Sequence, residues 1–309
     1  MNKKAIFLMG PTAAGKTDAA IYLHEKYGCE IISVDSALVY KQMNIGTAKP
    51  DNETLIRAPH ALVDIIDPWQ SYSAASFCQD AYELMETSVQ KNKMPLLAGG
   101  TMLYYRSLEN GLSQLPDAND KIRKELSELL NQKGLPYLHQ LLQKIDPNSA
   151  NRININDPQR IQRALEVYKI SGKTMTELHE ADQGNKIDYT PLKIIIAPER
   201  ALLHKRIEQR FKIMLDSGFV EEVEALKSNT KIHFNMPSMR CVGYRQVWQY
   251  LNGELSFDDM IFKGIVATRQ LAKRQWTWLR KEDKAHWLDS TKKGYLNSIS
   301  DLVEKFYES

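Results

Sequence analysis

Gly10-Pro11-Thr12-Ala13-Ala14-Gly15-Lys16-Thr17 fits the pattern GxxxxGK[ST] at every fixed position. Glycines let a backbone wrap closely and aim successive N–H groups at phosphate oxygens. The start of the following helix adds positive potential. Lys16 carries a point charge to an outer phosphate, and Thr17 offers a hydroxyl to Mg2+. The loop therefore specifies a diphosphate or triphosphate without specifying ATP. An NTP-hydrolysing site usually adds an acidic Mg2+ ligand at the end of a second apolar strand. Three carboxylates qualify by position: Asp35 after Ile31-Ile32-Ser33-Val34, and Asp64 or Asp67 after Ala61-Leu62-Val63. The run Pro95-Leu96-Leu97-Ala98 ends instead in Gly99-Gly100-Thr101, so the pattern is not diagnostic of NTP hydrolysis.

In an open parallel sheet, ligands bind at the carboxyl ends of the strands. Asp35-Ser36 and Thr101 are expected there, beside the phosphate loop. A carboxylate next to a bound diphosphate serves as metal ligand or general base; its bland alternative is a loop cap. Thr101 is a second candidate, although hydroxyls at strand ends often bond only to local backbone. Gly46-Thr47-Ala48-Lys49-Pro50 is a further glycine-led segment that reads as a lid or a connection. Arg206 and Arg210 stand one helical turn apart, placed for an arginine to reach a diphosphate.

A second chemistry is written in the basic residues. From Arg240 to Lys281 eight cations stand against three carboxylates, with Tyr244, Trp276 and Trp278 interleaved. Cations suit RNA phosphates, and flat rings suit unstacked bases. The alternative is a solvated basic helix with its tryptophans in the core. Gln159, Arg160, Gln162 and Arg163 open one helix and are types that contact base edges or phosphates in pairs; Ile161 among them faces a core. Arg123 lies on an earlier helix.

These residues need a frame, and the apolar pattern supplies one. Residues 5–9, 30–34, 61–66 and 95–98 read as strands, and 18–26 and 73–91 as helices between them, the second capped by Ser73. Such alternation implies a parallel α/β sheet. Residues 112–190 are helical in period, with helices over 120–132 and 137–145. Another is opened by Asp157-Pro158, faced with Ile161, Ala164, Leu165 and Tyr168, and closed by Gly172. Thr174-Met175-Thr176-Glu177 is a capping box. Residues 192–197 return to an apolar β-rich run. Helices around 202–218 and 259–280, a short strand at 285–288 and a terminal helix complete the chain. The expected fold is a P-loop NTPase-like α/β sheet flanked by helices, with a helical insertion and a largely helical C-terminal part. The expected domains are 1–112, 113–190 and 191–309.

Composition excludes little. The chain has 309 residues, 43% hydrophobic and 26% charged, and a formal net charge of +3, so composition alone does not demand nucleic acid. Cys29, Cys78 and Cys241 are far apart, which suggests neither a zinc site nor a disulfide framework. No apolar run is long enough for a membrane span. The N-terminal lysines and apolar stretch run straight into the phosphate loop with no small-residue cleavage site, so a cytoplasmic protein is expected. No obligate protein partner is evident. The phosphate loop and Asp35 alone also suit a small-molecule kinase or a nucleotide-gated RNA-binding switch, though the kinase leaves the glutamine-arginine helix and the basic tryptophan segment idle.

Six motifs in order settle on a resemblance: Gly10 to Thr17; Val34-Asp35-Ser36-Ala37-Leu38-Val39-Tyr40; Gly46 to Pro50; Gly99-Gly100-Thr101-Met102-Leu103-Tyr104; Asp157-Pro158-Gln159-Arg160 with Arg163-Ala164-Leu165-Glu166-Val167; and Arg240-Cys241-Val242-Gly243-Tyr244-Arg245-Gln246. Together they closely resemble the bacterial tRNA dimethylallyltransferase (isopentenyl-tRNA transferase) family over nearly the whole chain. Ala14 departs from the more usual serine, a harmless change where loop backbone supplies most contacts. The resemblance implies transfer of a dimethylallyl group from dimethylallyl diphosphate to N6 of adenosine 37 in tRNAs reading codons that begin with U, with Mg2+ at Thr17. It implies that Asp35, Thr101, Lys16 and Arg210 act in catalysis and that Gly10 to Thr17 hold the diphosphate. It implies that the tRNA anticodon stem-loop meets Asp35-Ser36-Ala37-Leu38, Thr101, Arg123, Gln159-Arg160-Ile161-Gln162-Arg163, Arg240-Cys241-Val242-Gly243-Tyr244-Arg245 and Lys273-Arg274-Gln275-Trp276-Thr277-Trp278-Leu279-Arg280.

Overall fold

A computed structural model describes residues 3–113, 115–181 and 186–309. The first two residues of the N-terminal stretch, and residues 114 and 182–185 of the expected insertion, lie outside these. The elements in chain order are β1 (Lys3–Met9), α1 (Lys16–Tyr27), β2 (Glu30–Val34), α2 (Asn52–Arg57), β3 (His60–Ala61), α3 (Ala74–Gln90), β4 (Pro95–Gly99) and α4 (Met102–Asn110). Then come α5 (Asp120–Lys133), α6 (Leu135–Ile145), α7 (Pro147–Arg152), α8 (Pro158–Ser171) and α9 (Met175–Ala181). The remainder is β5 (Tyr189–Ile196), α10 (Arg200–Asp216), α11 (Phe219–Ser228), α12 (Tyr244–Leu251), α13 (Phe257–Leu279), β6 (His286–Leu288) and α14 (Tyr295–Glu308).

The strands form one parallel sheet in the order β3-β2-β4-β1-β5-β6. Its centre is apolar on both sides because helices cover both sides. Ile6 and Leu8 face Ala19, Ala20 and Leu23 of α1, Leu203 and Ile207 of α10, and Ile299 and Val303 of α14. Phe7 points the other way and meets Tyr105, ring centroids 5.2 Å apart. The Tyr105 hydroxyl donates to the Leu8 and Leu97 carbonyls. The register matters most for function. Met9 pairs with Gly99 and Ile195, and Val34 pairs with Gly99, so four strands end at one level. The turns after three of these strands therefore emerge at one edge: the phosphate loop after β1, Asp35 after β2, Gly100-Thr101 after β4.

The chain divides into two compact units, Met1–Ser107 with Asp188–Ser309, and Leu108–Ile187. The second has its own core, in which Leu126, Leu138, Leu142, Ile161 and Leu165 are buried. Local signals hold there. Asp157 caps α8 by accepting from the Arg160 N–H, Gly172 closes it in the left-handed region, and Thr174 and Glu177 bond reciprocally at the start of α9.

Two expectations fail. Residues 61–66 are not a strand: β3 stops at Ala61, and Leu62 and Asp64 take positive φ of 63° and 56°. The Asp64 carboxylate pairs with the Lys49 ammonium, so it turns to a neighbouring loop rather than to phosphate. On α8, Tyr168 is exposed and Glu166 and Val167 are buried instead. The Glu166 carboxylate accepts from Arg123 Nε at 2.9 Å, Arg163 Nη1 at 2.8 Å and the Asn119 N–H at 2.9 Å, and this is what lets a charge replace an apolar contact.

Candidate active site

At the carboxyl edge of the sheet lies a cavity of about 690 Å³. The phosphate loop forms its floor. Gly15 sits at φ 93°, a conformation that suits glycine, and ends the turn as α1 begins. Lys16 folds back so that its Nζ donates to the Pro11 carbonyl at 2.8 Å. Burial pushes the Lys16 ammonium down to about 8, opposed by the charge of Asp35 and helped by that of Arg210. Thr17 lines the cavity at the first turn of α1. A magnesium ion suits such a hydroxyl, since it keeps most of its water and leans on phosphate oxygens. Among the described residues no group of three or more His, Cys, Asp or Glu could hold a metal without such help.

Asp35 forms the next wall. Its Oδ1 accepts from the Ala37 N–H at 2.8 Å and the Leu38 N–H at 3.4 Å. This orients the carboxylate, and no further bond to it occurs among the described residues. Burial raises the Asp35 carboxyl above its ordinary value, against the lowering by those amides and by Lys16. A carboxylate poised this way takes up a proton more readily than a solvated one. Cys241 feels the same site: burial, then the Asp35 charge, push its thiol up to about 12. Thr101 Oγ1 accepts from the Ser36 N–H at 3.0 Å, and the Thr101 N–H donates to the Val34 carbonyl at 3.1 Å, so Thr101 stitches β4 to β2 at the cavity mouth. Arg210 reaches the cavity from α10.

The structure therefore brings together the phosphate loop from Thr12 to Thr17, Asp35 to Leu38, Thr101 and Arg210. It adds Arg240 to Gly243 and, from α13, Arg274, Gln275 and Trp278. Neither Asp64 nor Asp67 lines this cavity, which leaves Asp35 as its acid among the three candidates. Arg240, Arg245, Lys273, Arg274, Thr277 and Arg280 are exposed, with Arg245 over the Phe234 ring at 4.8 Å. Three expected contacts cannot use their side chains. Ile161, Tyr244 and Leu279 are 0% exposed, because each fills a core at the level where its helix packs. Tyr244 packs edge-on to Phe219 and donates to Glu222. Trp276 is half-buried and stacks on Trp287, with Arg280 over its ring. In the other compact unit, Gln159 and Arg160 are exposed, whereas Arg123 and Arg163 are tied to Glu166.

Two residues escaped sequence reasoning, Glu222 and Arg106. Gly46, Thr47, Ala48 and Pro50, of the segment read as a lid or a connection, line the cavity, and Glu222 of α11 holds its start. The Glu222 carboxylate accepts from the N–H groups of Asn44, Ile45 and Gly46 at 2.8, 2.7 and 3.1 Å and from the Tyr244 hydroxyl at 2.5 Å. Arg106 of α4 lies over the Trp278 ring at 5.7 Å, a cation on the aromatic rim. The glycine-led segment was a visible signal; Glu222 and Arg106 had none.

A profile of the family described as IPP transferase matches residues 38–282, and one described as isopentenyl transferase matches residues 3–62. Among solved structures, the full-length tRNA isopentenylpyrophosphate transferase of Bacillus halodurans is 31% identical, with 99% of this chain and 98% of that one covered and a TM-score of 0.71. The tRNA delta(2)-isopentenylpyrophosphate transferase of Staphylococcus epidermidis is 32% identical, with 98% and 99% covered and a TM-score of 0.71. A eukaryotic dimethylallyltransferase, captured acting on tRNA, is 26% identical over 97% of this chain and 78% of its own, at a TM-score of 0.82. At 31–32% identity over nearly its whole length, the chain belongs to the IPP transferase family and is a tRNA prenyltransferase.

Proposed function

We propose that the chain transfers a dimethylallyl group from dimethylallyl diphosphate to N6 of adenosine 37 in tRNAs reading codons that begin with U, and releases diphosphate. The observation that carries this reading is that Asp35 and Lys16 line one cavity and each senses the other's charge. The leaving group and the attacking amine thus have their holders in one room. The amine of adenine is a weak nucleophile because its lone pair is delocalised into the ring. Asp35 holds N6 and accepts its proton as the N6–C1 bond forms. As C1–O breaks, negative charge grows on the diphosphate. The loop amides, Lys16 and Arg210 meet that charge. Thr17 would hold Mg2+, which supplies further positive charge to the phosphates.

The adenine leaves its stack to reach this depth, at a cost of a few kcal/mol. Arg240, Arg274 and the ring of Trp278 at the cavity lining suit the displaced nucleotide, and Lys273 and Arg280 suit its phosphates. Gln159 and Arg160 of the helical unit suit the anticodon stem-loop. A tRNA substrate points to the cytoplasm as its place of action. Among the described residues no helix is long and apolar enough to cross a membrane.

The deciding assay incubates the full chain with unmodified tRNA, Mg2+ and either labelled dimethylallyl diphosphate or γ-labelled ATP. Carbon label entering RNA at position 37 is the expected result. Phosphate transfer from ATP to a small molecule, with no carbon label in RNA, would overturn it.

A further inference from the structure

Gln275 is expected among the RNA contacts, between exposed Arg274 and half-buried Trp276, yet it is only 8% exposed. Its amide is used inside the fold. Oε1 accepts from the Thr12 N–H at 2.9 Å, and Nε2 donates to the Gly100 carbonyl at 2.9 Å. Thr12 belongs to the phosphate loop after β1, and Gly100 follows β4, the neighbouring strand. One side chain of α13 therefore joins two adjacent strand ends. The bonds continue from there. Thr101 follows Gly100, donates its N–H to Val34 and accepts from the N–H of Ser36, the residue after Asp35. The approach is tight: a Cβ on Gly100 would stand 2.4 Å from Gln275 Nε2, so a side chain there would displace the amide.

We infer that Gln275 is a positioning residue whose amide fixes the spacing between the phosphate loop and the Thr101–Asp35 wall, and with it the reach of the attacking amine to the donor carbon. The inference rests on the reading of this cavity as the donor site. Reacting atoms need an approach of about 3–3.5 Å, and a misplacement of about 1 Å costs roughly 10²-fold in rate. A contact with RNA would govern tRNA affinity instead, and a purely structural residue would govern stability. The same amide also gives the helix that carries Lys273 and Arg274 a direct hold on the loop.

The test uses the full chain with dimethylallyl diphosphate and unmodified tRNA. Gln275→Leu keeps the volume and loses both bonds. Gln275→Glu keeps an acceptor for Thr12 but sets a carboxylate against the Gly100 carbonyl. For both, the single-turnover rate at saturating substrates is expected to fall about 10²-fold, while tRNA Kd stays within about a factor of two. Gly100→Ala should do the same by displacing the amide, and adding Gln275→Ala to it should cost little more, since the contact is already lost. Should Gln275→Leu fail to fold, Gln275→Glu and the Gly100 pair carry the test. A raised tRNA Kd with an unchanged single-turnover rate would make Gln275 an RNA contact and overturn the inference. Losses that multiply between Gly100→Ala and Gln275→Ala would also overturn it. Lys16→Ala, run alongside, separates the two readings. If it abolishes donor saturation while Gln275→Leu behaves as wild type, the spacing inference alone fails. If Lys16→Ala leaves the donor KM unmoved, the donor-site reading fails and the inference with it.

Discussion

Asp35 and Glu166 are both carboxylates in crowded surroundings, and the protein treats them in opposite ways. Asp35 receives two backbone amides on one oxygen, and burial raises its carboxyl above the ordinary value. Glu166, 2% exposed, receives two arginines and an amide; burial alone would raise it, but Arg163, the Asn119 amide and Arg123 together bring it below the ordinary value. A carboxylate whose partners are already complete is scaffold. One left short of partners beside a cavity is kept for something that arrives. Lys16, whose Nζ donates to a carbonyl rather than to a carboxylate, belongs with Asp35 in this respect.

Removing Asp35 tests this contrast most severely. Asp35→Ala should lower single-turnover transfer by about 10³-fold or more, with tRNA affinity measured by filter binding little changed. Near-normal turnover would take the base role from it. Lys16 comes next, through pH. Its proton is lost as pH rises through about 8 in the free enzyme, whereas a bound diphosphate favours the charged form. So kcat/KM for the donor should fall on the alkaline side near that value while kcat does not; parallel profiles would mean that Lys16 does not meet the donor.

On the scaffold side, Glu166→Gln should destabilise the helical unit by about 2 kcal/mol. That is less than the roughly 3–5 for a fully enclosed pair, because the arginines are partly solvated. Its folded pKa is depressed, so its contribution is present above an unfolded value of about 4.3 and is lost as pH falls through the folded one. Denaturant melts of the wild type should weaken across that acid window, and those of Glu166→Gln should not weaken there through this group. The smallest effect is expected from the exposed cations: Lys273→Ala and Arg274→Ala should each weaken tRNA binding evenly across sequences and lower the salt slope by about one. An unchanged slope would place neither on phosphate.

The legible features of the chain were local ones. The phosphate loop, the helix caps at Ser73, Asp157 and Thr174, and the apolar strands each announce themselves within a few residues. Asp35 and Thr101 could be placed at the strand ends because strand length is short and the turn residues are adjacent. The order β2-β4-β1, which makes neighbours of Asp35, Gly100 and the loop, is a long-range fact with no local signature. The same limit hid Glu222, whose amide partners lie 176 to 178 residues away. It also left open where Tyr244, read with the basic run, and Leu279, carried by the resemblance, would face, since a basic, aromatic run looks alike whether its apolar members face RNA or a core; both side chains are buried. Residues 61–66 failed for a different reason: β-rich composition cannot outweigh two positive-φ residues and an ion pair to Lys49.

The grip of Glu222 on Asn44, Ile45 and Gly46 has a further consequence. Amide protons in an irregular loop ordinarily trade with solvent quickly, yet each of these three has the Glu222 carboxylate as its acceptor. Deuterium uptake there should lag behind that of neighbouring connections and quicken in Glu222→Ala. Slow exchange there would make this side of the reaction chamber masonry; exchange as quick as in neighbouring connections would make it a door.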